Sequence, residues 1–149
     1  MAVNVTAQII NVLEVKELEG FWQVKVTFDV SWVDSRLELQ NLKENDNFNV
    51  LANEERDSIW FPEIIFKNND NVERMVMDVK ADLIVRKEGD GYQTSHREVI
   101  SAEVFKGGEN PIFYSRTYST KFSCDFQLQS YPFDTQECIM ELNVPFANR

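Results

Sequence analysis

Two cysteines separated by thirteen residues constrain this chain more than any other feature of its sequence. The 149 residues contain no other cysteine. Apolar and polar residues alternate up to Cys124, and they alternate again from Cys138 onward. Alternation with a period of two is typical of a half-buried β-strand. The sequence therefore predicts a strand, a loop and a second strand, with a disulfide joining Cys124 to Cys138 at the base of the loop.

The tip of this loop reads Tyr131-Pro132-Phe133-Asp134. A peptide bond between an aromatic residue and proline is a good candidate for the cis form, which occurs in tight turns where the fold selects it. Closing a loop of about 15 residues by a disulfide removes roughly 3 kcal/mol of unfolded-state freedom in the chain-entropy model. We therefore expect a tight turn on a loop whose base is covalently fixed.

The spacing and the tip together resemble the signature loop of the Cys-loop receptors, which are pentameric ligand-gated ion channels. The matching positions are Cys124, Tyr131, Pro132, Phe133, Asp134, Gln136 and Cys138. The resemblance implies that the four tip residues form a coupling loop, which rests on a membrane domain and passes ligand binding on to the channel. The alternative is an ordinary hairpin disulfide in another secreted β domain.

Two further segments resemble the same family. Trp60-Phe61-Pro62-Glu63, followed by apolar residues and an asparagine, is similar to a Trp-x-Pro-Asp/Glu motif, and Trp32-Val33-Asp34 is similar to the end of the family's second strand. The resemblance implies that Trp32, Trp60 and Pro62 are structural core residues. It also implies the all-β, immunoglobulin-like sandwich of the receptor's extracellular domain, here incomplete at its C-terminus.

Periodicity along the rest of the chain favours the same all-β class. Every second residue from Trp22 to Trp32 is apolar, and the residues between them are mostly polar. This pattern predicts a strand with one buried face. We expect another strand at residues 76–85, followed by a hairpin turn at residues 88–91.

Residues 41–57 are polar and acidic, and we expect them to form a long loop with a few apolar anchors. The expected anchors are Phe48, Val50 and Leu51. The loop carboxylates Glu44, Asp46, Glu54 and Glu55 could hold calcium, but they lack the ligand spacing of an EF-hand. A solvated loop is the favoured interpretation.

The composition bounds the class of protein. The chain is long enough for one domain with a sizeable core, so we expect a single domain over residues 1–149. The net charge of −10 disfavours a nucleic-acid partner, because phosphates attract basic surfaces. No stretch approaches about 18 consecutive apolar residues, so a transmembrane domain is expected outside this chain. Because the family's extracellular domain continues beyond the second cysteine, we expect the sequence to be truncated after the loop.

No constellation of catalytic residues is evident in the sequence. There is no nucleophile elbow, zinc-protease motif, phosphate loop or Cys-x-x-Cys motif. His96 is the single histidine, and the disulfide uses both cysteines, which disfavours thiol catalysis and zinc binding. We predict a protein that is not an enzyme and that uses no cofactor and no metal.

The resemblance implies an agonist site between neighbouring subunits, lined by residues from several loops. The candidates at matching positions are Thr27, Lys67, Phe113, Ser115, Arg116 and Phe146. Thr27 and Lys67 stand where aromatic residues are usual, and Phe146 lies one place late. A cationic agonist, which aromatic faces would hold, is repelled by Lys67. The ligand is therefore unusual, or the subunit supplies one side of a mixed site, or it binds no agonist.

The function implied is that of the extracellular ligand-binding domain of a pentameric ligand-gated channel subunit. Its implied partners are a small-molecule agonist, sibling subunits in a homo- or hetero-pentamer, and the membrane through a transmembrane domain. The implied location is the extracellular side of the cell membrane, where Asn4 is a candidate glycosylation site in the sequon Asn4-Val5-Thr6. A soluble secreted protein of the same fold, like the acetylcholine-binding proteins, is the alternative, and an unrelated adhesion sandwich is a third.

Overall fold

The computed structural model describes residues 2–69, 75–76, 81–93 and 102–145. Within these ranges strands dominate, and helix is confined to α1 (Asn53–Ser58) and two 3₁₀ turns, Asp46–Phe48 and Leu128–Ser130. The strands are β1 (Val3–Lys16), β2 (Phe21–Trp32), β3 (Glu38–Gln40), β4 (Ile65–Phe66), β5 (Met75–Val76), β6 (Ile84–Val85), β7 (Tyr92–Gln93), β8 (Glu103–Lys106), β9 (Ile112–Ser123) and β10 (Leu142–Asn143). Every strand pair with a defined register is antiparallel. The predicted all-β class is confirmed.

The chain divides into two compact units. The first comprises Met1–Thr6, Asp29–Trp60 and Lys80–Ser115, and the second comprises Ala7–Phe28, Phe61–Val79 and Arg116–Arg149. Strands β1, β2 and β9 each contribute residues to both units. The expectation of a single domain over residues 1–149 stays a prediction.

The first unit is built on two sets of paired strands. Strand β8 pairs with β3 on one side and with β7 on the other, and β6 pairs with β9. The buried apolar residues of this unit are Val30, Trp32, Leu39, Ala81, Leu83, Val85, Val104, Phe105, Ile112 and Tyr114. Trp32 makes edge-on ring contacts with Trp60 and Tyr114, whose ring centroids lie 6.3 and 6.0 Å from its own.

A tight turn in the first unit depends on a buried carboxylate. The side chain of Asp34 is buried and accepts two hydrogen bonds from the Arg36 guanidinium, at 2.8 and 2.7 Å. The Arg36 guanidinium lowers the pKa of this carboxyl, and the cost of burying the charge opposes that shift. The Asp34 carbonyl in turn accepts from the Leu37 amide, and the Leu37 carbonyl accepts from Gly107.

The second unit carries a four-stranded arrangement in the order β1, β2, β9 and β5, with β10 pairing separately with β4. Its buried apolar residues are Trp22, Val24, Val26, Phe28, Ile64, Phe66, Tyr118 and Phe122. Four of them, Phe28, Phe66, Tyr118 and Phe122, form a chain of ring contacts with centroid distances of 5.2 to 5.9 Å. The last residue of this aromatic core, Phe122, lies two residues before Cys124 and so connects the core to the base of the cystine loop.

Strand β2 matches its prediction. All six apolar residues on one parity, from Trp22 to Trp32, are buried. The preceding turn ends at Gly20, whose φ of 71° lies in the left-handed region that favours glycine. The Cys124 amide donates to the Gly20 carbonyl at 2.8 Å, so this turn also touches the base of the cystine loop.

The prediction of an irregular loop at residues 41–57 is wrong in part. The segment contains α1 and a 3₁₀ turn, and the Glu55 carboxylate accepts from the Ala52 amide to stabilise the first turn of α1. Two of the three expected anchors are also wrong, because Phe48 is 75% exposed and Val50 is exposed as well, whereas Leu51 is half-buried. The buried residue is instead Asn49, whose amide bonds the Lys43 backbone at 2.7 and 2.9 Å and the Val85 carbonyl at 3.1 Å.

Two other local predictions also need correction. Residues 81–83 are not strand, so the expected strand at 76–85 is not continuous. The strands that flank the turn at residues 88–91 do not pair with each other, because β6 pairs with β9 and β7 pairs with β8. The turn is held by Asn110, whose side-chain oxygen accepts from the Glu88 and Gly89 amides at 3.0 and 3.1 Å.

The strands predicted on either side of the cysteines are shorter than their alternation indicated. Strand β9 ends at Ser123, and downstream the strand is limited to β10. Strand β1 also has an alternating stretch of apolar residues, but most of its apolar side chains are about half exposed. An alternating pattern predicts which side chains share a face of a strand, but it does not predict whether another element covers that face.

Candidate functional site: the cystine loop and its supports

The loop between Cys124 and Cys138 is closed by a disulfide, as predicted. The two Cα atoms lie 5.2 Å apart, and the Tyr131–Pro132 peptide bond is cis. Tyr131 and Phe133 at the tip are 71% and 92% exposed. Exposure of this much aromatic surface on a short loop is typical of a contact surface for another molecule.

Gln136 braces the inside of this loop. Its side-chain oxygen accepts from the Gln127 amide at 2.9 Å, and its side-chain nitrogen donates to the Gln127 carbonyl at 3.0 Å. The same nitrogen also donates to the Asp134 carboxylate. The Gln136 side chain therefore bonds backbone groups in the part of the loop that follows Cys124, and it also orients the Asp134 carboxylate at the tip.

Asn68, two residues after β4, forms hydrogen bonds with the chain on both sides of the cystine loop. Its side-chain nitrogen donates to the Ile139 carbonyl at 2.7 Å, and its side-chain oxygen accepts from the Glu141 amide at 2.9 Å. Its own carbonyl accepts from the Ser123 amide at 2.9 Å and from the Ser123 hydroxyl at 3.2 Å. A single residue thus contacts the chain just before Cys124 and just after Cys138.

Three of the ligand-interface candidates lie in the second unit. Thr27 is half-buried on β2, and its hydroxyl is 2.9 Å from that of Thr117 on β9. Lys67 is exposed, and its backbone amide donates to the Glu141 carbonyl at 3.0 Å. The Arg116 guanidinium lies 5.9 Å from the centre of the Phe61 ring.

The remaining candidates are in the first unit or outside the described residues. Phe113 lies under the Arg86 guanidinium at 4.2 Å, and Ser115 is exposed on β9. Phe146 falls outside the described residues, as does His96. Asn4 is exposed on β1, so its side chain is accessible to modification.

The three expected core residues differ in their burial. Trp32 is buried, at 1% exposure, and Pro62 is buried as well. Trp60 is half-buried, and it contacts Trp32 edge-on. The Trp60 ring therefore packs against Trp32 and remains partly accessible to solvent.

Three carboxylates of the acidic segment, those of Glu44, Asp46 and Glu55, are engaged by basic side chains or by backbone amides. Glu44 forms a 2.6 Å ion pair with Lys87, and Asp46 forms one of 3.2 Å with Arg86. Among the described residues, no three His, Cys, Asp or Glu side chains are grouped so that they could hold a metal ion. No helix in the described ranges is long and apolar enough to cross a membrane.

Sequence reasoning had placed Asn68 and Gln136 within family motifs but had assigned neither of them a role. The signal for Gln136 was its position two residues before the second cysteine, where a side chain can reach the opposite arm of a narrow loop. Asn68 left no local signal, because its partners lie 55 to 73 residues away in the chain.

Comparison with known proteins agrees with this geometry. The family model described as the neurotransmitter-gated ion-channel ligand binding domain matches residues 1–146. The delta subunit of the acetylcholine receptor of Rattus norvegicus is 26% identical over 133 residues, covering 89% of this chain and 21% of that protein. The glutamate-gated chloride channel subunit beta of Haemonchus contortus is 25% identical over 94% of this chain and 28% of its own length. The gamma-aminobutyric acid receptor subunit beta-4 of Gallus gallus is 23% identical over 95% of this chain and 24% of its own length.

The fold and the site together define an antiparallel β protein whose disulfide-closed loop has aromatic residues at its tip. The chain belongs to the family of neurotransmitter-gated ion-channel ligand-binding domains, the Cys-loop receptors. This family consists of receptors and not of enzymes, so the prediction of a non-enzyme is confirmed, and an unrelated adhesion sandwich is excluded. The chain spans between about a fifth and a little over a quarter of the length of these relatives.

Proposed function

We propose that this chain is the agonist-binding part of a subunit of a pentameric ligand-gated ion channel on the extracellular side of the cell membrane. Agonist binding between subunits shifts an equilibrium between resting and open states. The cystine loop then transmits the change to a transmembrane domain. The observation that carries this proposal is the exposed aromatic tip on a base fixed by a disulfide and by Asn68.

The supports of the loop favour a transmitting role over a purely structural one. A disulfide that only stapled a hairpin would not require an aromatic pair held out in solvent. Phe133 is 92% exposed, while Asp134 beneath it is bonded to Gln136. A fixed base with an exposed apolar tip suits a contact in which the whole loop moves as one body.

We further propose that the agonist carries a carboxylate. The exposed Lys67 stands at a position where an aromatic residue would favour a cation, and a lysine ammonium attracts a carboxylate instead. Two relatives support this assignment, because they are named for glutamate and for gamma-aminobutyric acid. The delta subunit of the acetylcholine receptor is the contrary case, and it makes acetylcholine the necessary comparison ligand.

The test is electrical recording from cells that express the complete subunit. Glutamate, gamma-aminobutyric acid, glycine and acetylcholine are applied in turn, and the complete domain is examined for a five-fold ring by electron microscopy. We expect a current with a carboxylate-bearing ligand, and we expect Phe133→Ala to abolish the current while radioligand binding persists. Ile139→Ala, another exposed apolar change near the loop, is the control.

A soluble secreted binding protein of the same fold is the alternative function. It predicts that the complete protein accumulates in the culture medium and that no current is obtained from any member of the ligand panel. A pentamer in the medium that binds the ligand would favour this alternative. A monomer that binds none of the four ligands would contradict both functions.

A further inference from the structure

A cavity of about 440 Å³ lies between the cystine loop and the strands β1 and β2. All of its lining residues belong to the second unit. Three aromatic residues contribute to its wall, namely Trp22, Phe126 and Tyr131. Cavities of this volume with mostly apolar walls are typical of sites for small molecules.

The charged side chains that line the cavity are all negative. Glu17 and Asp134 both line it, together with the neutral amide of Gln136. Among the described residues that line the cavity, none is cationic. The neighbouring Lys16 forms ion pairs of 3.4 Å with Glu14 and 3.7 Å with Glu19. The cavity is therefore acidic, aromatic-walled and open to solvent on one side, and no cationic side chain among the described residues lines it.

We propose that this cavity binds a small organic ammonium ion with an apolar body. The ammonium group is attracted by the carboxylates of Glu17 and Asp134 and by aromatic faces, and the apolar body packs on the remaining wall. The site is formed by a single chain, so it needs no neighbouring subunit and is separate from the proposed agonist site.

Occupation of this cavity joins the loop to the strands beneath it. Asp134, Gln136 and Tyr131 belong to the cystine loop, whereas Trp22 belongs to β2. A ligand that contacts both sides adds a bridge to the disulfide and to the Asn68 bonds. We expect bound ligand to reduce hydrogen exchange at the Gln127 amide, which Gln136 already protects.

Trp22 provides a reporter for the test. It is buried, and its indole nitrogen has no hydrogen-bond partner among the described residues. The chain has three tryptophans, so a proton–nitrogen correlation spectrum contains three indole signals, and Trp22→Phe identifies the relevant one. The probe is benzylammonium, and the matched uncharged compound is benzyl alcohol, both titrated at constant ionic strength into the oxidised chain.

We expect benzylammonium to shift the Trp22 indole signal and to leave those of Trp32 and Trp60 in place, with a dissociation constant on the order of 1 mM or below. Benzyl alcohol binds several-fold more weakly. Glu17→Gln and Asp134→Asn each weaken benzylammonium roughly twofold to fivefold, because each removes one solvent-accessible charge partner.

The controls remove a charge without touching the cavity. Glu19→Gln lies in the same turn as Glu17, and Asp125→Asn lies in the same loop as Asp134, but neither residue lines the cavity. Equal binding of benzyl alcohol and benzylammonium would overturn the proposal. So would an unshifted Trp22 signal, or control variants that weaken binding as much as the cavity variants do.

Discussion

The Gln136 side chain pairs with both backbone polar groups of Gln127, nine residues earlier in the chain. This is the hydrogen-bonding pattern that a neighbouring strand would supply, but here a side chain supplies it inside a loop. It joins the two sides of the loop at a point where the backbone forms no strand pair. The disulfide fixes the base of the loop, and this pair fixes its middle.

Gln136→Ala should loosen the middle of the loop without opening the disulfide. Two hydrogen bonds to backbone are lost, so the free energy of unfolding should fall by about 1–2 kcal/mol, and exchange at the Gln127 amide should accelerate. Denaturant unfolding and hydrogen exchange measure these two effects. Gln129→Ala, on an exposed residue of the same loop, is the matched control. Unchanged exchange at Gln127 would contradict the bracing role.

Asn68→Ala should destabilise the attachment of the chain that follows Cys138, whereas the Asn68 backbone carbonyl, which alanine retains, should still accept from Ser123. The variant loses the bonds to the Ile139 carbonyl and the Glu141 amide, which together contribute about 1–3 kcal/mol. Thermal or denaturant unfolding of the oxidised chain measures the change. Asn143→Ala removes an exposed asparagine side chain from the nearby β10 and should have little effect. Equal losses of unfolding free energy in the two variants would show that the Asn68 side-chain amide does not hold the loop.

Gly107→Ala should be far more harmful than Gly108→Ala. A Cβ atom at Gly107 would overlap the Asp34 carbonyl oxygen and lie 2.8 Å from the Leu37 Cβ, so backbone must move. Overpacking of this kind costs about 1–3 kcal/mol. At Gly108 the nearest atom, the Ser35 Cβ, is 3.3 Å away and requires only a small adjustment. The free energies of unfolding of the two variants test the contrast, and similar values would contradict it.

Asp34 should give the protein a component of stability that is lost in acid. The Arg36 guanidinium lowers the pKa of Asp34 in the folded state, so the folded state binds this proton less readily than the unfolded state does. The contribution is therefore complete above the unfolded pKa of about 3.9, and it disappears as the pH falls through the lower folded pKa. Unfolding measured from neutral pH to strong acid should show a smaller acid-side loss in Asp34→Asn. Asp29→Asn, which removes an exposed carboxylate from β2, is the control variant.

Predictions from sequence succeeded where the determining information was local. The alternation of apolar residues that predicted β2 lies within one continuous stretch of the chain. The disulfide also followed from a short interval. These features needed no knowledge of distant segments.

The features that were missed depend on contacts between distant residues. A polar residue such as Asn49 was not expected to be buried in an acidic segment, yet its amide is satisfied by Val85, 36 residues away. The failure of Phe48 as an anchor has the same origin, since the position of that segment is fixed by hydrogen bonds and not by apolar burial. For the same reason Asn68 was assigned no role, although it contacts the chain on both sides of the loop.

The disulfide and the Asn68 hydrogen bonds both hold the cystine loop, but they join residues at different separations in the sequence. The disulfide spans 14 residues, whereas the Asn68 bonds span 55 to 73. The conformational entropy lost on closing a loop rises with the logarithm of its length, so the disulfide can form while most of the chain is still unfolded. Once the disulfide is closed, Ser123 and Glu141 are held near each other, and binding of Asn68 to one arm brings the other arm within reach. The spacing therefore makes the two attachments cooperative, because a closed disulfide lowers the entropic cost of the second contact that Asn68 makes.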